Sequence, residues 1–252
     1  MMHQTIKKQS SARLLHGAGL ARRAAMMLLV MVLTMTAQTA WAEDVVNIGS
    51  GDGSSNDLPF NNYYKYSLTE QIYTVAELGE AGLIESIAFY KASTRSCVRN
   101  LDIYMVSTSK SSFENNMYWI TATAADKVFS GTVTFDDNAW TTITLDNPFV
   151  YDGQQNVAII IDDNTGSYVD ATGFLVYHAD GQSLYYASDG TNLDPTTTIN
   201  VEGNIGTSKN QIRIAKSPLS DCMKPSAFAV SEVGTQSATL SWTEHGTATA
   251  WV

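Results

Sequence analysis

The sequence predicts an all-β protein, an antiparallel β-sandwich of the jelly-roll or Ig-like kind, and three observations predict it. Residues 125–163 alternate apolar and polar side chains with the period of two that a half-buried sheet requires. Short apolar runs elsewhere are separated by Gly, Asn and Asp turn signals at sandwich spacing. The composition is rich in Thr, Ser, Tyr, Asn and Gly, only 16% of residues are charged, and little of the chain has a helical apolar period.

Taken in order, residues 1–42 read as an export leader. Lys7, Lys8, Arg13, Arg22 and Arg23 precede an apolar run from Ala24 to about Thr34, and Ala40-Trp41-Ala42 has the small-x-small form of a cleavage site. That run falls short of the roughly 20 residues a membrane span needs. Cleavage after Ala42 would leave a domain over 43–216, a linker over 217–224 and a tail over 225–252.

Val45–Ile48 reads as a first strand, followed by an irregular Gly/Ser/Asp loop. Tyr63 to Tyr66 alternate as a strand would, and residues 75–79 fit one helical turn. Residues 82–90 and 101–106 are strands; Leu101, Ile103 and Met105 alternate with Asp102, Tyr104 and Val106. Residues 107–125 form a long connection. In the organising stretch Phe129, Val133 and Phe135 share one face, Asp136-Asp137-Asn138 turns the chain, and Ile143 and Leu145 share the next apolar face. Val157 to Ile161 is apolar on both faces, as a doubly covered central strand requires. These three segments are expected to form a meander. Strands over 173–177, 183–188 and 211–214 follow, with a loop over 189–209. Phe129, Val133, Ile143, Leu145, Ile159, Leu101, Ile103 and Met105 are expected to share one core.

Removing the leader leaves ten basic against 25 acidic residues, a formal charge of −15. Such a surface repels phosphate backbones and anionic membranes, so no nucleic-acid partner is expected, and no segment after the leader reads as long and apolar enough for a membrane span. Cys97, in a loop-like stretch, and Cys222, at the domain junction, lie far apart. An oxidising compartment permits a bridge, and two separate thiols is the favoured reading.

No residues read as catalytic. His178 and His245 are the only histidines after the leader, no nucleophile elbow occurs, and the Asp pairs at 136–137, 162–163 and 189–194 read as turn residues. No cofactor is implied, with one candidate exception. Asp162, Asp163 and Asn164 cluster oxygen ligands as a hard cation such as Ca²⁺ prefers, although without a fixed-spacing calcium loop. For a sugar ligand the candidates are aromatics whose faces can stack on a pyranose ring: Tyr118, Trp119, Tyr168, Tyr185 and Tyr186.

The words Pro225-x-x-Phe228 and Ala238-Thr-Leu-Ser-Trp242 resemble the first two strands of a fibronectin type III module. A complete module has seven strands, so the resemblance implies an incomplete module here and a protein that continues past Val252. The tracts SIAFY, LDIYMVST, VFSGTVTF, WTTITLDNPFVYDG, IDDNTGSY and YYASDGTN resemble a β-sandwich module of large secreted proteins of Gram-negative anaerobes, loosely akin to gingipain-type haemagglutinin adhesin domains. The resemblance implies modular surface or secreted architecture, and the expectation read from the whole chain is a non-catalytic adhesion module with a glycan or extracellular protein partner. It supplies no functional residues. The alternative expectation is a spacer that holds a distant domain away from the cell.

Overall fold

The computed structural model describes residues 44–169, 173–219, 226–231 and 239–243. The leader, Cys222, His245 and the segment 248–252 lie outside them. The strands are β1 (Asp44–Ile48), β2 (Gly53–Ser55), β3 (Tyr66–Tyr73), β4 (Gly82–Lys91), β5 (Cys97–Thr108), β6 (Lys127–Phe135), β7 (Ala139–Tyr151), β8 (Asn156–Asp163), β9 (Phe174–Ser188), β10 (Asn204–Asn210), β11 (Ile212–Ser217), β12 (Ser226–Ser231) and β13 (Thr239–Thr243). One helical turn, α1 (Val75–Leu78), is closed by Glu77, whose carboxylate accepts the Thr74 N–H at 2.8 Å and its hydroxyl at 2.9 Å.

Strands β1 to β11 make one antiparallel sheet of two ladders, β1-β11-β4-β7 and β6-β5-β8-β3-β9, with β2 and β10 also paired to β9. The ladders join where Lys91 of β4 pairs with Phe174 of β9. Both contribute to one apolar core. Ile84, Ile87, Ile143 and Ile214 enter it from the first ladder, and Leu101, Ile103, Val133 and Ile159 from the second. This is the layering of a β-sandwich. All eight residues expected in the core lie there, Phe129 as a half-buried member at its margin.

Strand β8 behaves as its two-faced apolar run predicts. Val157, Ile159 and Ile161 enter the shared core, whereas Ala158 and Ile160 belong to a second cluster on the outer face. That cluster is roofed by the two connections 109–123 and 189–203, through Phe113, Trp119, Ile120, Ala122 and Ile199. The roof is hydrogen-bonded. The Trp119 indole donates to the Val201 carbonyl at 2.8 Å, and the Ala122 and Gly203 amides donate to the Pro195 and Asn116 carbonyls. Gly203 lies so close that an added Cβ would stand 2.6 Å from the Trp119 ring, so only glycine lets the two connections meet.

The three organising strands are not a meander. β6 pairs with β5, β7 with β4, and β8 lies between β3 and β5, so none of the three pairs with another. Alternation fixes which face of a strand is buried, but both layers offer the same core. The chain crosses from one layer to the other at the 136–138 turn, where Asn138 has φ 49°, and crosses back before β8.

Other segments also differ from expectation. Tyr63 to Lys65 form a turn held by Asn61, whose side chain accepts the Tyr63 N–H at 2.9 Å, and the strand begins only at Tyr66. The expected strands 173–177 and 183–188 are one strand, β9, with Gly181 at φ 69° within it. Part of the loop expected over 189–209 is strand β10. Its Lys209 is fully buried, and the ammonium donates to the Ile72 carbonyl, Glu77 and Gln182 at 2.6–2.7 Å, filling all three of its donor positions. Cys97 is not in a loop; it opens β5, buried and paired with Phe135. In the tail, β12 and β13 pair antiparallel, as two of the expected tail segments require.

Ile159 is 1% exposed on β8, whereas Thr142 is exposed on β7. Ile159→Ala should cost roughly 2–5 kcal/mol in denaturant unfolding, and Thr142→Ala should stay within about 0.5 kcal/mol of the parent. Equal losses at the two positions would contradict the facing.

Candidate functional site: an acidic cleft on the outer face

The outer face of the second ladder is ordered by register. Asp102 of β5 pairs with Asp162 of β8 and with Ser130 of β6, and Leu68 of β3 pairs with Asp162. Paired residues share a face, so Ser130, Asp102, Asp162 and Leu68 form one transverse row. Beyond this row the roof ends and a cleft of about 610 Å³ opens, lined by Asp102, Asp162, Lys127, Asn100, Asn164 and, from the 189–203 connection, Asp194 among others. Its size falls in the range of small-molecule sites, roughly 300–1,000 Å³, but its lining is polar.

The two paired carboxylates are treated unequally. Asp102 accepts the Lys127 ammonium at 2.7 Å and the Ser130 hydroxyl. Asp162 is 5% exposed, and only its Oδ2 is engaged, accepting the Asn164 amide at 2.9 Å. Its Oδ1 is buried and accepts no hydrogen bond. Burial raises the Asp162 pKa to about 7; the Asn164 bond opposes the rise, and the charges of Asp102, Asp163 and Asp194 add to it. Asp194 is set at the roof edge, where its carboxylate accepts the Thr196 N–H and hydroxyl, and these bonds hold its pKa below the usual value.

Asp163 belongs to the other face. Its carboxylate receives Nε of Arg99 at 2.8 Å and also pairs with Nη2 of the same guanidinium, both side chains being fully buried. Arg99 further donates to the Ser167 carbonyl at 2.9 Å and the Tyr64 carbonyl at 3.2 Å, tying two loops to β5. Asp162 and Asp163 therefore end a strand rather than occupy a turn, and they point to opposite sides of the sheet. The structure does not bring together the carboxylates expected to join Asn164 in a calcium site: Asp163 pairs with Arg99 on the inner face, and Asp162 lies on the outer one. Among the described residues no three His, Cys, Asp or Glu side chains are placed to hold a metal.

The aromatic candidates separate in the same way. Trp119 is 9% exposed and packed in the roof, with its N–H already bonded. It is a structural residue, and its face is not open for stacking. Tyr118 is 59% exposed and Tyr168 is 64% exposed. They belong to separate connections: Tyr118 to the one over 109–123, whose Ile120 N–H bonds Glu70 of β3, and Tyr168 to the loop that leaves β8 after Asp163. Tyr186 packs against the outer cluster, and Tyr185, its neighbour on the strand, is half-buried.

Sequence reading missed Asp102, Lys127 and Asp194. The available signal was Asp102 itself, a carboxylate within a strand whose polar-face neighbours, Tyr104 and Val106, are otherwise apolar or aromatic. Among the described residues no helix is long and apolar enough to cross a membrane. Compared with protein-family models, curated proteins and solved structures, the chain shows no match.

A second buried carboxyl anchors the roof. Glu70 of β3 is fully buried and accepts the Ile120 N–H at 2.9 Å. Burial pushes its pKa from 4.5 to about 8, against the opposing pull of the Ile120 bond and the Lys110 charge. A carboxyl whose pKa is higher folded than unfolded stabilises the fold below the unfolded value and loses that contribution as pH rises through the folded one. Between about pH 4.5 and 8 the parent should therefore lose stability relative to Glu70→Gln by up to about 1.4 kcal/mol per pH unit. Denaturant unfolding of both proteins across that window checks this; a pH-independent difference would contradict it.

Proposed function

We propose that residues 43–216 form a secreted, non-catalytic recognition module on a jelly-roll or Ig-like sandwich, and that it binds glycans through the cleft at Asp102 and Asp162. The observation that carries this reading is a cleft of about 610 Å³ walled by the amides of Asn100, Asn164 and Asn192 and the carboxylates of Asp102, Asp162 and Asp194. Amides and carboxylates match the paired hydroxyls of a sugar, donor to acceptor. The leader-like residues 1–42 support export. The words Pro225-x-x-Phe228 and Ala238-Thr-Leu-Ser-Trp242 support reading the tail as strands of a fibronectin type III module.

Glycan-array and mucin pull-down binding by the purified protein tests the reading. Binding should be lost in Asp162→Ala and retained in Tyr118→Ala and Tyr168→Ala. Trp119→Ala is unsuited to this test, since emptying its place in the roof should cost roughly 3–5 kcal/mol of stability. A blank across glycans and matrix proteins would favour the spacer instead.

A further inference from the structure

We infer that the outer face of the first ladder binds a carboxylated sugar, a uronic or sialic acid residue, and that Arg213 receives its carboxylate. This site does not depend on the acidic cleft, which belongs to the second ladder. It is built by register. Val45, Ala215, Ser86 and Thr144 form one transverse row across β1, β11, β4 and β7, and Asn47, Arg213, Ala88 and Thr142 form the next. Val45, Arg213, Thr142 and Thr144 are exposed. The other side chains of the two rows are mostly small, and an open hollow of about 640 Å³ lies over them, with Arg213 in its wall.

The exposed Arg213 side chain is held in place. Its Nε donates to the Asn47 side-chain oxygen at 3.0 Å, and its guanidinium carbon stands 4.1 Å from the centre of the Trp140 ring. Tyr90 braces Trp140 in turn: the ring centres are 5.6 Å apart at an interplanar angle of 72°, and the Tyr90 hydroxyl donates to the Asn138 carbonyl at 3.0 Å. Immobilising an arginine forfeits about 2 kcal/mol of rotamer entropy. Here much of that ordering is present before any ligand arrives, which favours binding. Asn47 takes one N–H of the guanidinium, and among the described residues no ion pair takes the rest. Arg99, Lys127 and Lys209, by contrast, are all paired with carboxylates. Two parallel N–H groups of a guanidinium match the two oxygens of a carboxylate. The hydroxyls of Ser86, Thr142 and Thr144 line the same hollow and suit ring hydroxyls, which favours a sugar over a simple anion. Glu85, the acidic lining residue, sits at the bulge of β4 beyond Ser86 and makes no ion pair with Arg213. The chain's net charge of −10 opposes an anion at long range, but salt screens that field beyond about 8 Å under physiological conditions.

The test uses sialyllactose and trigalacturonate, each against its own methyl ester, which keeps the rings and removes the charge. Calorimetric titration of the full protein at neutral pH should show at least one acid binding about tenfold more tightly than its ester, which corresponds to ~1.4 kcal/mol. Arg213→Gln should erase that preference. Arg213→Lys, which keeps the charge without the planar fork, should lose most of it. Unfolding curves of both variants check that they are folded, as substitution of an exposed side chain predicts. Equal binding of acid and ester in both pairs, or a preference that survives either substitution undiminished, would overturn the proposal. A glutamate-rich peptide bound as tightly as the acidic sugar would overturn the sugar as the ligand.

Discussion

Strand β8 is buried on both faces, and the rest of the domain is arranged to satisfy that constraint. Its inward side chains are consumed by the sandwich core, but Ala158 and Ile160 would face water if the second ladder were left bare. Among the described residues no third sheet covers them. Two connections do so instead, and irregular backbone over an apolar surface must find partners for its own N–H and C=O groups. The bonds from Trp119, Ala122 and Gly203 are those partners, and Glu70 supplies a further one from the sheet to Ile120. The protonated state that burial imposes on Glu70 follows from its place beneath this roof.

The same strand determines what its two terminal aspartates do. Successive residues point to opposite faces, so Asp162 and Asp163, adjacent in sequence, meet different chemistry. Asp163 enters the interior, where an isolated charge is prohibitive; Arg99 makes it tolerable by donating Nε and Nη2 to Oδ2, while Thr165 donates to Oδ1. Arg99 spends its remaining donors on the loops at 64 and 167, so one buried pair fixes β5, β8 and two chain reversals together. Asp162 emerges beside an unroofed margin, opposite another carboxylate, and keeps an unused acceptor. The pleat thereby gives the two neighbours different surroundings.

This division explains which features were legible in the sequence. The two-faced run Val157 to Ile161 and the alternation at Leu101–Val106 identified the core, because burial pattern is a local property of the chain. Strand neighbours were not legible in the same way. Strands β6, β7 and β8 follow one another in sequence but join separate ladders, and the choice of layer depends on long-range pairing that periodicity does not encode. Polarity also misled where buried polar groups are satisfied. Lys209 reads as a loop residue, yet it and Asn210 lie in the interior, with hydrogen bonds to Ile72, Glu77, Gln182 and Gln71. Trp119 read as a sugar platform because sequence does not show what covers it. The cleft escaped notice for a related reason: Asp102, Asp162 and Asp194 come from three separated segments, and only register and the roof bring them together.

The division of labour between the two aspartates is tested most directly by the unfolding free energies of Asp162→Ala and Asp163→Ala, measured side by side near pH 8. Removing Asp163 strands the buried Arg99 and should cost about 3–5 kcal/mol. Removing Asp162 discards a desolvated carboxylate with acidic neighbours, so its variant should be as stable as the parent or more so. A large loss at Asp162 with little at Asp163 would contradict the facing of β8.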